Sequence, residues 1–310
     1  MERLQRMPVP VLPTFVGALT LSNVYAGLGY SWVRHVTMIV ATVVWILYLV
    51  KIIRYPKTCQ GEYKNVVPCS LYAAFFMMLM ILGSYYAAYA PAFGKGLLLV
   101  ATFAHAIHIS VFTYRNVIKE RNIKTFVPSW FVTYNGIMVS CVVGAGMGCN
   151  HILVYLVYYG IAIYLLLIPI MIWRLCKVEI GDAVYHTMAV VLAPVSLCLV
   201  SYLNIIEGPN QSLVYFLYIC VLASLVFVVL MLPKFFRYSF TPGYAGLTFP
   251  MAIGIVASNK MAGYLLNVAG NEMLSKMVTQ IAGIQIYLTT ILVGYVLLNF
   301  LIMALKLERK

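Results

Sequence analysis

Five prolines recur through this 310-residue chain at nearly even intervals. Pro13, Pro68, Pro128, Pro194 and Pro250 lie in the segments Val-Leu-Pro-Thr-Phe, Val-Val-Pro-Cys-Ser, Phe-Val-Pro-Ser-Trp, Leu-Ala-Pro-Val-Ser and Thr-Phe-Pro-Met-Ala, separated by 55, 60, 66 and 56 residues. Each unit holds two long apolar stretches, and the proline lies in the first. A repeat of this period fixes the architecture before any local feature is considered. Here it predicts five helical hairpins, with one helix of each hairpin set apart by its proline.

The apolar stretches belong in a membrane. The chain is 63% hydrophobic and 9% charged, whereas a soluble domain carries roughly a quarter charged residues. Residues 125–173, 208–233 and 277–305 contain no Asp, Glu, Lys or Arg. A span needs about 20 apolar residues, so the first of these stretches holds two spans and the others one each. A soluble helical protein could not cover so much apolar surface. The chain reads as an all-α integral membrane protein, one transmembrane domain over residues 1–310. Its ten expected spans lie near 11–30, 33–53, 66–88, 92–114, 127–148, 151–174, 187–206, 211–233, 245–268 and 277–305. Arg3 and Arg6 precede the first stretch but no clean small-x-small site follows it, so it is read as a retained span.

Net charge is +13, but its distribution argues against a nucleic-acid partner. Of 21 Lys and Arg, 17 lie at the termini or in the loops around 51–66, 114–126, 174–186 and 234–242, which share one side of a ten-span topology. Only Arg34, Lys95, Lys260 and Lys276 lie elsewhere. The positive-inside rule then puts both termini in the cytoplasm, with the protein in the cytoplasmic or plasma membrane. The seven cysteines form no CxxC and no evenly spaced set, so neither a metal site nor a disulfide framework is expected, and no cofactor is called for.

A proline within a membrane helix removes a hydrogen bond and kinks the helix. Five at matching positions in the odd spans suggest that those helices surround a common axis, with the even spans as an outer layer against lipid. Ten residues beyond each proline stand Asn23, Met78, Met138, Asn204 and Lys260, about 15 Å along each helix. Asn135, Ser201, Tyr202, Ser258 and Asn259 add polarity nearby. Polar groups at such depth face a protein interior or a water-filled cavity. The plainer alternatives are helix–helix hydrogen bonds for the asparagines and snorkelling for Lys260. All eight acids, Glu2, Glu62, Glu120, Glu179, Asp182, Glu207, Glu272 and Glu308, fall in loops or tails. Cation pathways use carboxylates or carbonyl filters, whereas anion pathways favour Lys or Arg. A lone buried lysine therefore points to an anion.

Taken together, the five proline-marked hairpins, the ten spans and the segment Gly246-Leu247-Thr248-Phe249-Pro250 in span 9 resemble the tellurite-resistance/dicarboxylate transporter family, which includes bacterial tellurite-resistance protein A, fungal malate permease and plant slow-type anion channels. The resemblance covers essentially the whole chain. It implies a homotrimer in which each protomer has its own pore, lined by the five odd helices and closed by a phenylalanine in span 9. On this chain the gate is Phe249. The family often has two aromatics upstream of this segment, where this chain has Gly243-Tyr244-Ala245-Gly246.

Two other signals look chemical. His105 and His108 are three apart in span 4, hence on one helix face, and are expected as a hydrogen-bonded structural pair. Gly144, Gly146 and Gly148 end an apolar span with no strand before them, so close helix packing is expected rather than a nucleotide site. No P-loop, aspartate-rich diphosphate motif or protease constellation occurs, and no catalytic residue is expected. The function expected is passage of small inorganic or organic anions across the membrane through the odd-span pore. The alternatives are a proton-coupled dicarboxylate carrier of the malate type, a tellurite or sulfite carrier, and, from a different class, an intramembrane enzyme or receptor.

Overall fold

The computed structural model describes residues 2–178 and 181–306. Glu179, Glu308, Arg309 and Lys310, which contribute to the charge pattern of the sequence, lie outside the described residues. Ten helical segments carry the fold: α1 (Val11–Gly27), α2 (Ser31–Arg54), α3 (Val66–Tyr86), α4 (Pro91–Glu120), α5, α6 (Asn150–Lys177), α7 (Tyr185–Ile205), α8 (Gln211–Phe235), α9 (Thr248–Asn267) and α10 (Glu272–Lys306). The segment called α5 is three short pieces, Trp130–Tyr134, Gly136–Met138 and Val139–Val143, the middle one a 3-10 turn. No strand occurs among the described residues.

The segments form two concentric layers. α1 touches α3, α3 touches α5, α5 touches α7, α7 touches α9, and α9 returns to α1, closing a ring in chain order. Each even helix packs against its own inner partner and the next: α2 on α1 and α3, α4 on α3 and α5, α6 on α5 and α7, α8 on α7 and α9, α10 on α9 and α1. Burial follows the layers. Of the residues in their apolar windows, 78% are buried in α3 and 89% in α7, against 22–33% in α2, α4, α6, α8 and α10. The outer faces present Trp32, Phe103, Tyr155, Leu230 and Ile291, as lipid contact requires.

Seven of these helices are long and apolar enough to cross a membrane; the three that fall short, α1, α5 and α9, all belong to the ring. α1 has 17 residues, α5 is broken, and α9 carries Ser258, Asn259 and Lys260. Irregular backbone and polar side chains are tolerated at membrane depth only where protein or a water-filled cavity surrounds them. The ring is where that condition is met.

The prolines occupy a different place from mid-span kinks. Pro13, Pro68, Pro194 and Pro250 are each the third residue of an α-helical stretch, and Pro128 lies two residues before one. The first backbone N–H groups of a helix have no partner within it, so a proline in the first turn costs no hydrogen bond. Before Pro194 and Pro250 the chain is wound as 3-10 helix, Asp182–Val191 and Pro242–Leu247. The repeated proline thus sets where regular α-winding begins in each ring segment.

Close approach between the layers depends on small residues. Gly83 and Gly94 bring α3 onto α4, and Gly160 of α6 receives the Met138 side chain. In the Gly144-x-Gly146-x-Gly148 run only Gly144 packs tightly. Gly146 and Gly148 have φ of +80° and +68° and build the turn into α6, with Lys95 donating to Gly148 O at 2.8 Å. At the opposite end, Lys51 is fully buried and donates to Met7 O at 2.7 Å and Glu62 Oε1 at 2.6 Å, while the Tyr72 hydroxyl donates to Glu62 Oε2 at 2.6 Å. This network clamps the N-terminal segment and the connecting helix Pro56–Lys64 onto α2 and α3.

Candidate functional site

α9 carries both Phe249 and Lys260 and has two distinct faces. One face holds α10. The Ser258 hydroxyl donates to Gln285 Oε1 at 2.8 Å, Ser275 of α10 donates to Ala262 O at 2.9 Å, and Gly254 lies under Gln285. These positions are four apart, one above the other on the helix. Half a turn around run Phe249, Ile253, Val256, Lys260 and Gly263, spaced alternately by four and three. By helical spacing this stripe lies on the side of α9 away from the Gly254, Ser258 and Ala262 positions that meet α10. Its accessibility rises as far as Lys260: Phe249 and Ile253 are 5% and 1% exposed, Val256 is half-buried, Lys260 is exposed, and Gly263 is half-buried again. The sealed and open ends are about 16 Å apart along the helix.

At the sealed end α1 and α9 meet backbone to backbone. A Cβ on Gly17 would stand 2.7 Å from Phe249 N and 2.7 Å from Thr248 C, a separation no side chain tolerates. The Thr248 hydroxyl donates to Ala245 O at 2.8 Å and to Pro13 O at 3.3 Å, tying the turn before Phe249 to the proline turn of α1. α1 is graded in the same sense as α9. Leu12, Val16 and Leu19 form a fully buried stripe, and Asn23 continues it, half-buried.

The electrostatics of the ring are simple. α1, α3, α5, α7 and α9 contain no carboxylate, and Lys260 is their one Lys or Arg. Among the described residues Lys260 has no hydrogen-bond or ion-pair partner. Lys260 is therefore an exposed, unpaired basic side chain on helices that otherwise carry no charge.

Of the residues ten beyond the prolines, Asn23, Asn204 and Lys260 are accessible, whereas Met78 and Met138 are fully buried. Met138 ends the 3-10 piece of α5, which turns 120° per residue rather than 100°. That winding rotates the rest of α5, and Met138 points at Gly160 of α6. Asn204 also braces its neighbour in the ring. Its Nδ2 donates to Val142 O at 3.0 Å, capping the carbonyl end of broken α5.

Two expected lining residues are fully buried and hydrogen-bonded to outer helices. Ser258 is fully buried against α10 and α8, where Tyr218 donates to it at 3.5 Å. Asn135 is fully buried, its Nδ2 donating to Gly160 O at 2.9 Å, beside the sulfurs of Met138 and Cys198. Their helix faces are set by contacts with outer helices, which spacing from the prolines does not encode. His105 and His108 also stay off the axis. His105 Nε2 donates to Thr133 O at 2.8 Å, and His108 Nδ1 pairs with the Tyr63 hydroxyl at 2.8 Å. Burial pushes the Tyr63 hydroxyl well above its usual range, so it is a neutral partner for His108. The Gly17–Thr248 contact and the Ser258–Gln285 bond were not anticipated; both join residues far apart in sequence, and no local spacing signals either.

A search of curated proteins returned no match. The family model described as voltage-dependent anion channel matches residues 10–304, nearly the whole chain. The chain therefore belongs to the voltage-dependent anion channel family, the tellurite-resistance/dicarboxylate transporter family it resembles in sequence, a family of multi-pass membrane channels and transporters rather than enzymes.

Proposed function

We propose that the chain conducts small anions across the cytoplasmic membrane along the axis of its inner ring. All ten segments cross the bilayer as five repeated hairpins of a single domain, residues 1–310, with both termini cytoplasmic. Phe249 closes the path at the end where α1 and α9 touch. Lys260 draws anions into the open end, with Asn23 and Asn204 as its neutral polar companions. The homotrimer implied by the family resemblance would give each protomer its own path. The observation that carries this reading is the graded stripe on α9, sealed at Phe249 and open at Lys260, in a ring with no carboxylate.

Passive conduction fits better than proton coupling. A proton-coupled dicarboxylate carrier needs a titratable group beside its substrate. Both histidines of α4 are engaged by Thr133 and Tyr63, away from the stripe, which leaves Lys260 as the one titratable group on it. A tellurite or sulfite carrier would face the same requirement if proton-driven. Purified protein in liposomes separates these readings. Chloride and nitrate flux should follow the anion gradient and respond to voltage but not to a pH gradient. Uphill malate uptake driven by a proton gradient would replace the channel reading with the carrier.

A further inference from the structure

A cavity of about 600 Å³ opens at the strongly basic end of the molecule, between the connecting helix Pro56–Lys64 and the last turns of α2 and α4. It reaches Tyr72 on α3, and no residue of the Phe249–Lys260 stripe lines it. Ile52, Pro56 and Tyr72 supply apolar wall, and Gln60, Lys64 and Arg115 supply polar groups. Its position is interfacial: Ile53 beside it is 68% exposed on the lipid-facing side of α2, and Arg54, Lys57, Lys119 and Arg121 cluster at the same end.

The charge balance inside the cavity is one-sided. Glu62, the nearest carboxylate on the connecting helix, is already held by Lys51 and Tyr72. Glu120 is exposed on the same end of α4 but does not line the cavity. Arg115 sits in the π-wound end of α4, Tyr114–Glu120, a winding that re-aims side chains relative to a regular α-helix. It is fixed by one bond, Nη1 to Tyr63 O at 3.1 Å, and by stacking 5.1 Å over the Tyr63 ring. Its other guanidinium donors remain available. Lys64 has no hydrogen-bond partner among the described residues. The Tyr63 hydroxyl pairs with His108, so the wall that aims Arg115 is anchored to α4 itself.

We propose that this cavity binds an anionic phospholipid of the basic-side leaflet. Its phosphate sits between Lys64 and Arg115, and its glycerol and upper acyl chain lie along Ile52, Pro56 and Tyr72. A guanidinium suits phosphate by its forked donors, and an apolar wall continuous with a lipid-facing helix suits an acyl chain better than a soluble anion.

The test uses the full-length protein in detergent, titrated with phosphatidylglycerol, phosphatidylcholine or inorganic phosphate. Thermal stability and lipid retention by native mass spectrometry are the readouts. Phosphatidylglycerol should raise the melting temperature and be retained, and phosphatidylcholine should not. Lys64→Gln should weaken phosphatidylglycerol binding roughly five-fold, as should Arg115→Gln, the loss of one charge near a membrane surface. Lys119→Gln removes a charge of the same end outside the cavity and should leave binding unchanged. Should Arg115→Gln fail to fold, Lys64→Gln alone decides. Three results would overturn the proposal: no effect of Lys64→Gln, an equal effect of Lys119→Gln, or an equal shift with inorganic phosphate, which would make the ligand a soluble anion.

Discussion

The two ends of α9 share a helix and a facing stripe but differ in almost everything else. At Phe249 the stripe is buried, and Gly17 of α1 approaches Thr248 and Phe249 too closely to admit a Cβ. At Lys260, three turns on, the same stripe is open and carries the one cation of the ring. The neighbouring helix α1 repeats the pattern, sealed at Leu12 to Leu19 and open at Asn23. On the proposed conduction path, closure would be a matter of helix approach at Gly17 and Phe249, and selectivity a matter of the charge at Lys260. The two properties should therefore be separable by mutation.

The largest separation should come from Lys260→Glu. Reversing the one ring charge should cut anion conductance by about ten-fold or more, since focused fields change local ion concentration by at least that factor. Reversal potentials under a salt gradient should move toward cation permeation. Lys260→Gln should lie between, and Lys260→Arg should keep most activity. If Lys260→Glu folds and keeps the parent's selectivity, the ammonium snorkels to the surface and the open end owes nothing to it.

Phe249→Ala should act on closure alone. Truncating a phenylalanine packed in a solid core costs about 3–5 kcal/mol. A phenylalanine plugging a path should cost clearly less and should raise conductance severalfold, because an apolar constriction blocks ions by dewetting. Selectivity should stay as in the parent. Thermal unfolding in detergent and single-channel recording read the two quantities together. A large stability loss with no gain in current would make Phe249 an ordinary core residue.

Gly17→Ala probes the same end from the other helix. Its Cβ would meet Phe249 N and Thr248 C, so α1 and α9 must part. The expected cost is about 1–3 kcal/mol, typical of overpacking, with leakier closure. Gly96→Ala is a control, since nothing stands near a Cβ there. If Gly17→Ala matches that control in both stability and current, the seal does not depend on helix approach.

How far these features were legible in sequence follows from what each depends on. The layered arrangement was legible, because proline spacing and the confinement of charge are properties of the whole chain. The expected limits 11–30, 66–88, 187–206 and 245–268 lie within three residues of α1, α3, α7 and α9, whereas 127–148 meets only the broken α5, 130–143. Lys260 stood out because a cation among apolar residues needs no neighbour to be conspicuous. Asn135 and Ser258 are fully buried, and their hydrogen bonds depend on what the outer helices offer, Gly160 O in one case and Gln285 in the other, which sequence spacing does not show. Met138 left the shared register because of a 3-10 turn in α5 that the proline spacing does not encode. Gly17 was unremarkable until the fold placed Thr248 against it.

The smallest effect should come from Ser258→Ala, and it bears on how sharply the two faces of α9 divide the work. Ser258 is two residues from Lys260, yet it is fully buried and donates to Gln285 Oε1 at 2.8 Å. Gln285 Nε2 has no hydrogen-bond partner of its own, so the Ser258 bond is what holds the amide in place. Removing it should cost about 1 kcal/mol, the usual worth of a buried hydrogen bond, seen as a slightly lower melting temperature. Conductance and reversal potential should not move, because the hydroxyl faces α10 rather than the axis. Gln285→Leu combined with Ser258→Ala should recover part of the loss, since neither polar group is then left alone. A shifted reversal potential in Ser258→Ala, with stability intact, would put this hydroxyl on the ion path and merge the two faces that the packing of α10 keeps apart.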